Sequence, residues 1–291
     1  INKITIGYAN FGNTYGLNGK NLSKKNFWKI AKYAFKNKLV SFDTAYNYGN
    51  SQGFLGQIKD KISSRVHSKI KIDSKIPKNS TPFQIYEIIL TMLSQLNINS
   101  LNIVYFHDAK NLLGKNGKKI FEQLQLMKNI KIINKIGVSV YSVTEINKII
   151  QKYKIDSLQI PVNVLDKRFI NRDLLKKLKR KKIEIIARSI FLKGLLTKRS
   201  QDLPNYFHKF KNVLNKFDYI CSRENVSKVK YCLDFVAKNS SIDRFIIGVS
   251  SEKQLKEILK KYKKKRYYSK LGLPNMVSRQ LLDPRNWKSS F

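Results

Sequence analysis

The stretch Phe42-Asp43-Thr44-Ala45-Tyr46-Asn47-Tyr48-Gly49 decides how this chain is read, because its aspartate opens a regular series. Short apolar segments are followed by Asp43, Lys75, His107 and Ser139, and each of these polar residues lies 32 positions after the one before. That interval accommodates a strand, a turn, a helix and a return, which is one βα unit. Where successive units close into a barrel, their C-terminal strand ends converge on one face, so polar side chains kept in this phase meet at its mouth.

Outward from that series, short β-branched runs alternate with amphipathic stretches along the chain. The expected strands are Ile4–Tyr8, Leu39–Phe42, Ile70–Ser74, Leu101–Phe106, Ile132–Gly137, Ser157–Pro161, Ile183–Ala187 and Arg244–Gly248. Between them, Lys24–Asn37, Pro82–Leu96, Lys118–Lys128, Val143–Tyr153, Arg172–Lys181 and Ser227–Lys238 carry apolar stripes at helical spacing. Ser142 and Ser251 stand before two helices, with Glu145 and Gln254 three residues on, the spacing of a capping box. The pattern predicts an α/β fold: a (β/α)8 TIM barrel in a single domain over residues 1–291, with a C-terminal tail from about 264. Thr197–Arg223 exceeds one ordinary helix and is expected to contain an irregular or mobile segment.

Composition narrows the function classes. Of 291 residues 42% are hydrophobic, enough for a large core. Apolar runs such as Ile183–Ala187 stop far short of the ~20 residues a membrane helix needs. The opening lacks the order of charged, apolar and small residues that marks a secretion signal, so a cytoplasmic protein with reduced Cys221 and Cys232 is expected. No histidine and cysteine cluster has metal-ligand spacing, and no metal is expected. The formal charge of +39 invites a polyanion partner, yet only 11 of the 58 basic residues are arginine, and bidentate phosphate recognition favours arginine. The lysines are spread over nearly every expected helix, which reads as a solvated surface without specific nucleic-acid binding or membrane contact.

The strand-end residues carry a coherent chemistry. A phenol is a weak acid at neutral pH, but a neighbouring ammonium favours its phenolate and lowers its pKa. Lys75 is positioned to act so on Tyr48, and Asp43 can hold the ammonium by a charge-assisted hydrogen bond. A neutral N–H of His107 can orient a carbonyl oxygen toward the same point. The set can polarise and protonate an aldehyde or ketone while hydride arrives at carbon.

These segments resemble the aldo-keto reductases. Phe42–Ala45 with Tyr48-Gly49 is similar to the family's first signature, Ser74–Pro77 to its lysine strand and Val104–His107 to its histidine strand. The resemblance implies Asp43, Tyr48, Lys75 and His107 as the catalytic tetrad, NADPH as cofactor with NADH as the alternative, and a small carbonyl substrate, sugars and their derivatives included. It also implies cofactor contacts. Ser139 and Gln159, with Asn163 nearby, match residues that serve the nicotinamide carboxamide, and Arg188, Ser189, Phe191, Leu192 and Gly194 lie in a stretch similar to the pyrophosphate loop. Gly248, Ser250, Ser251, Gln254 and Glu257 resemble the adenosine-phosphate site, where helix-terminal N–H groups can meet phosphate. The chain departs from the common pattern at Val140, Arg188 and Ile258, where many members have Asn, a ring-stacking Tyr and Asn. Gly7–Leu17 and Asp283–Trp287 resemble a bacterial branch associated with surface-polysaccharide sugar pathways. Substrate choice is expected from the loops at Asn18–Lys24 and Lys110–Lys118 and from the tail. Two other readings stand beside this one: a non-catalytic polyanion-binding or regulatory protein on the same barrel, and a phosphate-binding barrel of different chemistry.

Overall fold

Eight short runs rich in Ile, Val and Phe pair side by side: β1 (Ile4–Gly7), β2 (Ser41–Asp43), β3 (Lys71–Ile76), β4 (Leu101–Phe106), β5 (Ile133–Ser139), β6 (Ser157–Pro161), β7 (Glu184–Arg188) and β8 (Arg244–Gly248). In the computed structural model, which describes residues 1–11, 17, 22–58, 62–264, 273 and 277–287, every neighbouring pair is parallel and β8 closes on β1. Closure leaves no row of unpaired strand groups at an edge. Between β1 and β2 lies α1 (Lys24–Lys36); α2 (Ser51–Gly56) and α3 (Ser64–His67) follow β2, and α4 (Ile85–Leu96) follows β3. After β4 come α5 (Ala109–Leu113) and α6 (Gly117–Asn129), after β5 α7 (Val143–Lys152), and after β6 α8 (Arg172–Arg180). α9 (Lys211–Arg223) and α10 (Lys228–Ala237) separate β7 from β8, which α11 (Glu252–Lys263) and the short α12 (Arg279–Leu282) follow.

The helices form where caps and apolar stripes agree. Ser142 Oγ accepts from the Glu145 N–H at 3.1 Å while Glu145 returns a bond to the Ser142 N–H at 3.0 Å, and α7 then buries Ile146, Ile149 and Ile150 against the sheet. Each such buried side chain contributes on the order of 1.5–3 kcal/mol. Inside the barrel, the Tyr105 ring passes over Gly137 of β5 and its hydroxyl bonds Ser157 Oγ of β6 at 2.8 Å. A side chain at Gly137 would place its Cβ 2.4 Å from that ring, so only glycine fits there.

Near the N-terminal strand ends, the first residues of β7 and β8 form a charged cluster. Arg244 bridges Glu184 at 2.7 Å and the buried Asp73 at 2.8 Å, and Asn102 donates to Asp73 at 2.5 Å. Burial pushes the Asp73 carboxyl up to about 6, against the opposing pull of Arg244 and Asn102.

Several element bounds differ from those expected. β2 continues to Asp43, β3 to Ile76, β5 to Ser139 and β7 to Arg188, because their terminal polar side chains have partners or a cleft to face and do not stop the ladder. Thr197–Arg223 holds the irregular stretch expected of it: the 3-10 turns Ser200–Asp202 and Asn205–Phe210 lead into α9, whose Leu214, Phe217, Ile220 and Cys221 are buried. Residues 12–16 of the opening motif, 18–21 of the first substrate loop, and 265–272, 274–276 and 288–291 of the tail lie outside the described residues. No helix among the described residues is long and apolar enough to cross a membrane. Cys221 and Cys232 are free and buried.

Candidate active site

The four residues of the spacing series all sit at C-terminal strand ends: Asp43 closes β2, Lys75 is next to last in β3, His107 follows β4 and Ser139 closes β5. Lys75 Nζ donates to Asp43 Oδ1 at 2.6 Å and to the Thr44 carbonyl at 2.8 Å. Only 4% and 7% of the Lys75 and Asp43 side chains are exposed, so the ion pair is shielded from water. The second carboxylate oxygen accepts from Gln159 Nε2 at 2.6 Å, which ties β2 to β6 across the barrel mouth. Lys75 Nζ lies 5.1 Å from the centroid of the Tyr48 ring, and the rings of Tyr48 and His107 meet edge to face at 5.7 Å. The turn that carries Tyr48 is anchored by its neighbours: Thr44 bonds Ser51 at 2.7 Å, and the Tyr46 N–H donates to the Lys75 carbonyl at 3.1 Å.

Electrostatics differ from the sequence expectation at one point. The Tyr48 phenol is held above its ordinary pKa, first by burial and then by Asp43 and Tyr141, with Arg188 opposing. Asp43, which holds the Lys75 ammonium, adds its own negative charge against ionisation of the phenol. His107 is pushed down to about 3 by burial and by the cations Lys75, Lys78 and Arg188, so its imidazole is neutral at pH 7 and carries one N–H.

A cleft of about 500 Å³ opens over these residues. Of the residues assigned from sequence, Asp43, Tyr48, Lys75, His107, Ser139, Gln159, Arg188, Ser189, Phe191, Gly194, Gly248, Ser250, Gln254 and Glu257 line it. Leu192 and Ser251 do not. Leu192 is wholly buried in the core, and Ser251 caps α11 by accepting from the Gln254 N–H at 3.2 Å. Asn163 does not line it either; it donates to the Ser189 carbonyl at 3.3 Å, in the loop after β7.

The donors and acceptors here fit a nicotinamide dinucleotide. Gln159 Oε1 and Asn10 Oδ1 are buried, belong to cleft-lining residues and have no partner among the described residues, so each can accept from a carboxamide or other N–H donor. Ser189, Leu192, Lys193 and Gly194 all have positive φ, between 47° and 93°. Strained backbone of this kind costs about 1–3 kcal/mol per non-glycine residue and persists where the surroundings fix it for a purpose. At the far end, the start of α11 reaches the cleft through Ser250, whose N–H donates to Gln254 Oε1 at 2.8 Å.

Sequence reading missed Asn10, Tyr141 and Arg285, all in the cleft wall. Tyr141 lies two residues beyond the Ser139 strand end, a loop offset that the strand series suggests. Arg285 comes from the distant tail, and no local pattern signals where a tail packs.

The whole-chain comparisons agree with this geometry. The profile of the Aldo/keto reductase family matches residues 3–270, while no curated protein sequence matches the chain. Among solved structures, the aldo-keto reductase AKR11C1 from Bacillus halodurans (holo form) superposes with a TM-score of 0.75 at 14% identity, over 97% of this chain and 95% of that one. The glycerol dehydrogenase AKR11B4 from Gluconobacter oxydans does so at 0.70 and 17%, over 91% and 88%. With the barrel closed, the site at its C-terminal mouth and the profile spanning nearly the whole sequence, the chain belongs to the Aldo/keto reductase family and is an oxidoreductase rather than a non-catalytic binding barrel.

Proposed function

We propose that the protein reduces an aldehyde or ketone to an alcohol with NADPH, using Tyr48 as general acid, Lys75 and Asp43 as its electrostatic support, and His107 to orient the carbonyl. The observation that carries this reading is the shielded Lys75–Asp43 pair beneath Tyr48 and His107 in one cleft. Bound NADPH supplies hydride to the carbonyl carbon. Because enclosure keeps the Tyr48 phenol protonated at neutral pH, a proton is available at its oxygen. An alkoxide is more basic than a phenolate, so transfer from Tyr48 to the substrate oxygen is downhill even from a raised phenol pKa. Lys75, beside the ring, stabilises the phenolate left behind until solvent reprotonates it. The neutral N–H of His107 binds the carbonyl oxygen without competing as an acid.

Ser139 and Gln159 would hold the carboxamide, Ser189, Phe191 and Gly194 the pyrophosphate, and Gly248, Ser250, Gln254 and Glu257 the adenosine end. The test is Tyr48→Phe, which keeps the ring and removes the donor. Steady-state reduction should fall by about two to four orders of magnitude while NADPH binding, followed by fluorescence, persists. Lys75→Met should lose a similar factor, and the double variant should be little worse than the worse single one, since both disable one proton-transfer unit. Near-normal reduction by Tyr48→Phe would sink the assignment.

A further inference from the structure

Three guanidinium groups converge on Tyr141, and they differ in one respect. Arg168, which donates to the Tyr141 carbonyl at 3.4 Å, is gripped by both oxygens of Asp166 at 2.8 and 2.7 Å. Arg285, whose Cζ lies 3.3 Å from the Tyr141 ring centroid, is gripped by Asp283, the shortest bond being 2.6 Å. Arg188, with Cζ 4.1 Å from the same centroid, finds neutral acceptors alone among the described residues: the Val140 carbonyl at 3.1 Å and Ser189 Oγ at 3.5 Å. No carboxylate among the described residues pairs with it, and its buried Nε has no partner.

The family resemblance counts Arg188 among the cofactor contacts, but its guanidinium leans toward the end of β5 and against Tyr141, in the wall of the same cleft that Tyr48 and His107 line. Its charge is felt at both of those groups. Asp283 offsets Arg285 and its field reaches Arg188 too, but no carboxylate bonds the Arg188 guanidinium, which leaves that group open to an incoming anion. We infer that Arg188 binds an anionic oxygen group of the substrate, so that the protein selects aldehydes or ketones that carry a carboxylate or a phosphate. The inference rests on the reductase reading for its substrate, although the anion site itself does not.

The test compares kcat/KM for succinic semialdehyde with that for its neutral primary amide, and for glyceraldehyde 3-phosphate with that for glyceraldehyde. Moderate salt screens the general field of the +39 chain. A hydrogen-bonded charge contact is worth about 1.5–3 kcal/mol, so the wild type should prefer the anion by about tenfold or more in at least one pair. Which pair shows it tells carboxylate from phosphate. Arg188→Gln should cut that preference below about threefold, any general loss cancelling in the ratio, whereas Lys176→Gln on the exposed face of α8 should leave it intact. Equilibrium binding of butyrate against butyramide, and of inorganic phosphate, gives the same comparison without turnover. If no aldehyde is reduced yet butyrate or phosphate binds in an Arg188-dependent way, the reductase reading fails and the anion site stands. Absence of an anion preference in the wild type, or its survival in Arg188→Gln, overturns the inference.

Discussion

Replacing Lys75 by Met leaves Asp43 as a buried carboxylate with one oxygen still held by Gln159 and the other without its ammonium. At 2.6 Å the attraction lost is roughly 6 kcal/mol for an effective dielectric of about 20. The variant no longer desolvates an ammonium, which returns part of that, and the Gln159 bond remains. The net cost should therefore fall near the low end of the about 3–5 kcal/mol seen when one partner of a buried pair is removed, about 3 kcal/mol. For a chain of this length that corresponds to a fall in Tm of about 5 °C. Urea unfolding at pH 7 reads it directly. Adding Asp43→Asn to the Met variant removes the orphan charge and should recover much of the loss, giving a coupling of about 2 kcal/mol in the double-mutant cycle. A Lys75→Met protein within about 0.5 kcal/mol of wild type, or single effects that simply add, would refute the view that Asp43 and Lys75 form one interdependent buried unit.

Two titrations should tilt stability in opposite directions. His107 moves from 6.5 to about 3 on folding, so the unfolded chain binds more protons between those values and stability should rise with pH across that window; His107→Asn should flatten the rise in urea midpoints. Asp73 moves from 3.8 to about 6, so the folded chain binds more protons there and stability should fall as pH rises through that range; Asp73→Asn should remove the fall. Fluorescence titration at moderate salt should show NADPH binding more tightly than NADH, and equal or tighter NADH binding would reverse that preference.

The barrel and the gathering of its polar strand-end residues were legible in the sequence through one physical regularity. Residues that end parallel strands in phase must gather on one face, and Asp43, Lys75, His107 and Ser139 do. Strand lengths were less legible, because Lys75 and Ser139 look like strand terminators to hydropathy yet are buried within the ladder. The resting charge state of Tyr48 depends on its burial and on how near Asp43 lies, which is a matter of ångströms and not of spacing. Gln159 illustrates the same limit: its likeness to a cofactor ligand was readable, its hand on Asp43 was not. Arg285 reaches the cleft across most of the chain's length, and Leu192 turns inward although its neighbours Phe191 and Lys193 face the cleft.

The cap of α7 has a reach beyond its own helix. The same Glu145 oxygen that closes the capping box also accepts the Tyr141 N–H, at 2.7 Å, so one carboxylate fixes both the start of an outer helix and the backbone of the aromatic residue on which Arg188 and Arg285 rest. For protein engineering, residues 141–145 are therefore a single cassette. A graft of the loop between β5 and α7 onto another barrel that leaves Glu145 behind would carry the aromatic wall without its hinge pin, and one that includes it would bring the wall, its orientation and the helix start together.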